Sequence, residues 1–377
     1  MQAEFVFGAT RHLELAAGLI SGEARAWPAP FDSAMAAVLA LRSSRVCVLA
    51  SGDPFNHGVG ATLARHLSAS EMDVHPAPSA FTLAASRLGW PLQDVETVSL
   101  HGRDIALLRP LLQPGRRVLA LTSDGAAPAA IANRIVSWGF GLSRLHILEA
   151  LGGPSERVLS GNPAVIAGQT FAPLNLLAIE VAAGADAAIV PLGFGLDDAL
   201  FEHDGQITKR EVRALTLSAL CPRRGELLWD IGAGAGSIAI EWMLTHPSMR
   251  AVAIEADAER AARIGRNATA LGVPGINVVH GRAPEALAGL PAPDAIFVGG
   301  GGGSGDGVTE AAIGALRPGG RLVANAVTLA MEALLLSLHA SHGGALTRIA
   351  ISRAAPVGEM RGWRPAMPVT QWSWTRT

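Results

Sequence analysis

The stretch LLWDIGAGAGSIAIEW sets Gly232, Gly234 and Gly236 between an apolar run and a helix-period run, with Asp230 just ahead of them. Bare backbone at such a junction lets a ligand approach where a Cβ would collide, and a nucleotide is the usual guest. The dinucleotide fingerprint G-x-G-x-x-G requires its third glycine one place later, where Ser237 stands, so nicotinamide and flavin dinucleotides fit poorly. A second acid, Glu255, closes the strand-like AVAIEAD, where a carboxylate accepts from both hydroxyls of a ribose. Glycines beside an aminoacyl tail and an acid on the diol describe a methionine-bearing nucleoside.

That combination is the S-adenosylmethionine pattern of Rossmann-like methyltransferases. The cofactor contacts expected from it run through Gly232, Ala233, Gly234, Ala235, Gly236 and Glu255. In GRAPEAL, after the third strand, Ala283 is placed to meet the adenine. In ITKREVRAL, before the sheet, Thr208 stands where a lid or a helix cap touches the cofactor, and capping alone would explain it equally well. The run VGGGGGSGDG (298–307) follows the fourth strand, on the substrate face of this fold class, and reads either as room for a large flat substrate or as a simple loop.

The elements that must position these residues are legible in the second half. Strand-like runs at 227–231, 251–255, 276–279, 294–298 and 321–326 alternate with helix-period segments at 237–246, 258–271, 308–316 and 328–340, the order of a doubly wound parallel α/β sheet. ALTRIAISRAAPV and MPVTQWSWT follow without a helix between them, which predicts an antiparallel hairpin on the sheet edge. The first half alternates too: RVCVLASGDP, RRVLALTSDG and SRLHILEALG read as strands, NHGVGATLARHL and PAAIANRIVSWGF as helices. A chain of 377 residues is long enough for two cores. We expect one domain over 1–192, a linker over 193–206 that collects acids, Pro and Gly, and a second domain over 207–377.

Composition narrows the function classes. Apolar residues make up 49% and charged ones 16%, with no Tyr, which excludes a disordered chain. A net charge of −2 with both signs dispersed argues against a nucleic-acid or membrane partner. Cys47 and Cys221 lie far apart, each in or near an apolar stretch, and no Cys/His cluster has metal-ligand spacing, so we expect buried reduced thiols and no metal. The N-terminus lacks the order of a signal peptide and no long uncharged apolar segment occurs, so a cytoplasmic location is expected. A homo-oligomer is also expected.

Several segments carry a family resemblance. DGQITKREVRALTLSAL, LWDIGAGAGSIAIEWM, GRAPEAL, DAIFVGGG and MPVTQWSW closely resemble the C-terminal half of the precorrin-6Y C5,15-methyltransferases (decarboxylating), enzymes of cobalamin biosynthesis. LASGDPFNHGVGATLARHL, PAPSAFTLAASRLGWPLQD, SLHGRD and LTSDGAAPAAIANRI resemble the tetrapyrrole methylase domain fused ahead of it. The resemblance covers nearly the whole chain. It implies a precorrin substrate, methylated at C5 by the first domain and at C15 by the second, which also removes CO₂ from the C12 acetate. The family's S-adenosylmethionine contacts fall on Thr208, the stretch Gly232 to Gly236, Glu255 and Ala283.

One feature departs from the family. Tetrapyrrole methylases open with a strand and glycine-rich loop, whereas this chain starts MQAEFVFGATRHLELA, so the first domain is expected to lack its first strand. An unpaired sheet edge there would leave that domain inactive or scaffold-like, with only C15 methylation and decarboxylation remaining. His57 occupies the place of a family aromatic and reads as a cleft-lining group. No side chain is nominated as catalytic, because a sulfonium methyl is already electrophilic and in-line placement supplies up to roughly 7–11 kcal/mol. A substrate rich in carboxylates calls for cations, and Arg353, Arg361 and Arg364 are the candidates, with ordinary solvated arginine as the other reading. An RNA or protein methyltransferase is the remaining alternative, but it would show a basic stripe or an N-P-P-Y motif where this chain has glycines.

Overall fold

A computed structural model describes residues 3–28, 32–299 and 307–377, which gather into two compact units. The first takes in Met1–His101, Gly115–Ser137 and Gly141–Ala182; the second takes in Gly102–Pro114, Trp138–Phe140 and Ala183–Thr377.

In the first unit, β1 (Phe5–Gly8), β2 (Glu23–Ala26) and β3 (Val46–Val48) form a parallel sheet in the order β2-β1-β3. A second sheet runs β4-β5-β8-β6-β7, from β4 (Val95–Ser99), β5 (Arg117–Leu121), β6 (Arg144–Glu149), β7 (Arg157–Gly161) and β8 (Asn175–Glu180). Here β8 is antiparallel to both of its neighbours. The three strands expected from sequence are β3, β5 and β6, and the two expected helices are Val59–Leu63 and Ala127–Ser137. The Gly-Asp-Pro turn after β3 is closed by Asp53, whose Oδ1 accepts from the Phe55 N–H at 2.8 Å. His57, in that same loop, is exposed and lies edge-on to Phe81 with 5.8 Å between ring centroids.

The second unit carries one sheet in the order β11-β10-β9-β12-β13-β17-β14. Its strands are β9 (Leu227–Ile231), β10 (Arg250–Glu255), β11 (Asn277–His280), β12 (Ala295–Val298), β13 (Arg321–Ala326), β14 (Ala345–Ile349) and β17 (Val369–Thr375), with β15 (Ser352–Val357) and β16 (Met360–Pro365) forming a separate ribbon. The strands from β11 to β13 are parallel, and β17 runs antiparallel between β13 and β14. Residues of alternate parity point to opposite faces and both faces are covered, which is why these strands read as unbroken apolar runs. Leu227, Trp229 and Ile231 pack with Ile254, Val298, Met331 and Leu335 on one face. Leu228, Ala253 and Phe297 pack with Leu217, Ile238, Trp242 and Ile264 on the other.

Two expectations require correction: Cys47 is half-buried and Cys221 exposed, so neither thiol is buried, and the edge is not a simple hairpin. ALTRIAISRAAPV is two strands, and the stretch read as a loop before MPVTQWSWT contains β16, because residues 352–365 pair with each other instead of with the sheet. Residues 193–206 group with the second unit, where Leu196 and Phe201 join Ile240, Ala268 and Leu271 in a buried cluster. Residues 102–114, inside the span expected for the first domain, also group with the second unit. There Arg109 donates to the Ala188 carbonyl, and a Cβ on Gly272 would collide with the Pro110 ring.

Candidate functional site

The carboxyl ends of β11, β10 and β9 lie side by side, and they bring the expected residues together. The glycine loop leaves β9, Glu255 ends β10, and Ala283 follows β11. The Glu255 carboxylate is buried and accepts from the N–H of Gly234 at 2.8 Å and of Asp257 at 2.9 Å. The Gly281 N–H donates to the Glu255 carbonyl at 2.9 Å, which ties the Ala283 turn to the same edge. Ala283 is half-buried against the sheet core. This edge borders the β9/β12 junction, where the strand order reverses and open α/β sheets take their ligands.

Gly236 and Gly234 are required for different reasons. Gly236 caps the helix Ser237–Leu244 at φ +76°, and a Cβ there would stand 2.7 Å from Ile264 Cγ2. Gly234 has φ +59°, but the nearest atom to a Cβ would be the Gln206 carbonyl oxygen at 3.7 Å. Gly236 lets helix and loop pack, whereas at Gly234 a Cβ would meet only ordinary contact and it is the positive φ that favours glycine. The run 298–307 falls largely on residues 300–306, which lie outside the described residues.

Thr208 is half-buried just before the helix Arg210–Leu220, but Lys209, not Thr208, is the N-cap, and no side chain caps the helix. The Thr208 carbonyl instead accepts from Arg213. Of the three arginines, Arg353 is paired with Glu211 on that helix, while Arg361 and Arg364 lie exposed on β16. The ribbon springs from the end of β14 and the start of β17, which places it at the carboxyl edge of the sheet.

Asp230 is the electrostatically unusual group. It is 1% exposed; Oδ2 accepts from the Ala239 N–H at 3.1 Å, while Oδ1 has no partner among the described residues. Burial pushes its carboxyl up to about 7; the Ala239 N–H opposes the shift and the nearby Glu255 charge adds to it. The folded chain therefore holds a proton that the unfolded chain has released above its ordinary value of 3.8. Stability from this group is greatest below about 4 and declines by up to ~1.4 kcal/mol per pH unit as pH rises to about 7. Urea unfolding across that window should show the decline in the wild type and a flatter profile in Asp230→Asn. Parallel profiles would refute the assignment.

Sequence reasoning missed two buried polar side chains that hold the loop. Asn267, on the helix Ala258–Leu271, donates to the Ala235 carbonyl at 2.9 Å and pairs with both backbone groups of Glu202. It falls on the apolar stripe with Ile264 and Leu271, and that polar break in the pattern was a visible signal. Glu241, a lone charge in SIAIEWML, binds the fully buried Arg213, but nothing in the sequence names that partner.

Comparison with known proteins gives these features a context. The family model described as "Precorrin methyltransferase domain" matches residues 199–376, and "Tetrapyrrole (Corrin/Porphyrin) Methylases" matches residues 1–165. A curated precorrin-6Y C(5,15)-methyltransferase (decarboxylating) from Sinorhizobium sp is 64% identical over 375 residues, covering 100% of this chain and 91% of that protein. The chain belongs to the precorrin-6Y C5,15-methyltransferase family. It is an enzyme, a methyltransferase with a tetrapyrrole methylase domain followed by a precorrin methyltransferase domain. The methyltransferase's second half also matches a cobalt-precorrin-6B C(15)-methyltransferase (decarboxylating) from Salmonella typhimurium, at 36% identity over 182 residues, 46% of this chain and 92% of that one. A crystal structure of the C-terminal domain of the Rhodobacter capsulatus precorrin-6Y C5,15-methyltransferase aligns with 50% of this chain and 100% of its own, at 50% identity and a TM-score of 0.47. No helix among the described residues is long and apolar enough to cross a membrane.

Proposed function

We propose that this chain, acting in the cytoplasm, methylates a precorrin at C5 and C15 with S-adenosylmethionine and removes CO₂ from its C12 acetate. The observation that carries the reading is the buried Glu255 carboxylate held 2.8 Å from the Gly234 N–H at the carboxyl edge of the sheet. The residues fit the methyl donor in three respects. Gly234 presents bare backbone at φ +59°, an unpartnered buried carboxyl oxygen belongs to Asp230, and Glu255 keeps free lone pairs after its two backbone bonds. Thr208, Gly232, Ala233, Gly234, Ala235, Gly236, Glu255 and Ala283 would hold it.

When bound, S-adenosylmethionine supplies a methyl group on a sulfonium, already a strong electrophile. Glu255 accepts from the ribose diol and fixes the nucleoside along β10. The glycine loop presents backbone without side chains to the aminoacyl part. Placement supplies most of the acceleration, up to roughly 7–11 kcal/mol, because an electron-rich meso carbon needs little further activation. The macrocycle itself provides the electron sink for decarboxylation.

Purified protein incubated with S-adenosylmethionine and the reduced precorrin tests this by mass. A gain of two methyl groups with loss of one CO₂ is expected. Unchanged precorrin overturns the reading, and a single methyl with CO₂ loss overturns the C5 assignment and makes the first unit a scaffold.

A further inference from the structure

The chain from Gly195 to Thr208 approaches the glycine loop, its Gln206 carbonyl oxygen lying 3.7 Å from the point a Cβ on Gly234 would occupy. Two polar side chains set that approach. Asn267 touches both partners: its Oδ1 accepts from the Glu202 N–H at 2.8 Å, and its Nδ2 donates to the carbonyls of Glu202 at 3.0 Å and Ala235 at 2.9 Å. It is 3% exposed, so water cannot replace these bonds. Arg213 fixes both ends of the segment, donating to the carbonyls of Leu196 and Thr208 and to the carboxylates of Asp198 and Glu241. Ion pairs from Arg260 to Asp204 and from Arg266 to Glu202 add a second row along the helix that carries Asn267.

We propose that Asn267 and Arg213 are positioning residues of the methyl-donor site, clamping the segment that carries Thr208 onto the glycine loop so that both face one volume. The inference rests on the donor-site reading above. Neither side chain needs to meet the donor: Asn267 acts through the Ala235 carbonyl, and Arg213 acts through the Thr208 carbonyl. Holding the two walls in register before the donor arrives removes an ordering cost from binding, so the loss of either clamp should be felt in affinity for the donor. The chemical step should be spared, because the reacting carbon and sulfur touch neither residue.

The discriminating substitution is Asn267→Asp in the full chain. One oxygen still accepts from the Glu202 N–H, but the other faces the carbonyls of Glu202 and Ala235 and repels both. The expected result is a rise of about ten-fold in KM for S-adenosylmethionine and in the S-adenosylhomocysteine dissociation constant. The kcat at saturating donor should stay within about two-fold. Arg213→Lys keeps the charge beside Glu241 but cannot reach both carbonyls, and the same split is expected of it; it serves where Asn267→Asp does not fold. A soluble variant whose melting temperature falls while KM is unchanged would overturn the inference, since that is the mark of a purely structural role. Wild type and Glu255→Ala serve as references in the same titration. Failure of the wild type to bind S-adenosylhomocysteine overturns the donor-site reading itself. Loss of binding in Glu255→Ala alone leaves that reading intact and removes the clamp.

Discussion

Replacing Glu255 by alanine is expected to weaken S-adenosylhomocysteine binding by about a hundred-fold or more. Two charge-assisted hydrogen bonds to the ribose diol disappear, each worth on the order of 1.5–3 kcal/mol, and every 1.4 kcal/mol is about ten-fold in affinity. The same carboxylate orients the loop through the N–H groups of Gly234 and Asp257, so the substitution also frees the backbone that the ligand must meet. Both effects weaken binding. Glu255→Gln separates them, because its amide oxygen still accepts from Gly234 while the charge is gone, and an intermediate loss of about ten-fold is expected. Calorimetric titration with a parallel melting curve reads both quantities. Wild-type affinity in the alanine variant would show that the diol is held elsewhere.

Glu241→Ala should produce the largest loss of stability in the second unit, about 3–5 kcal/mol. Arg213 is fully buried, and Glu241 accepts from its Nε and from the N–H groups of Gly195 at 2.7 Å and Leu196 at 2.9 Å. Truncation leaves a guanidinium out of water with Asp198 and two carbonyls for company, and two amides with no acceptor. Against a typical domain stability of roughly 5–15 kcal/mol, that loss brings the unit near its threshold. Glu241→Gln keeps an oxygen and should cost less. Urea unfolding followed by tryptophan fluorescence suits the measurement, since Trp229, Trp242 and Trp372 are all buried in this unit. A change below about 1 kcal/mol would mean that Arg213 finds full compensation without Glu241.

The second unit was readable because its strands are buried on both faces and its helices carry one apolar stripe. Apolar runs such as LLWDI and AIFV then mark strands directly, and the interval between them marks a helix crossover. The edge was harder. Residues 352–357 have strand composition whether they join the main sheet or fold back on 360–365, and composition does not say which partner a strand takes. In the first unit, β1, β2, β4, β7 and β8 were not read from the sequence, because strands of four to six residues give little periodicity of their own.

For the site, the residue types and their order along the chain suffice to point at a nucleoside. Glycines that relieve steric conflict and an acid at a strand end act through local backbone geometry, which a linear reading captures. The clamps around them do not act locally. Arg213 meets Glu241 and Asn267 meets Ala235 only because separate helices pack across one face of the sheet. The unpartnered oxygen of Asp230 likewise exists only once the chain has closed around it. Backbone preference and hydrophobic periodicity are properties of neighbours in sequence, so the primary structure carries them. Desolvation, ion pairing and the satisfaction of buried polar atoms depend on what lies across space, and folding alone settles them.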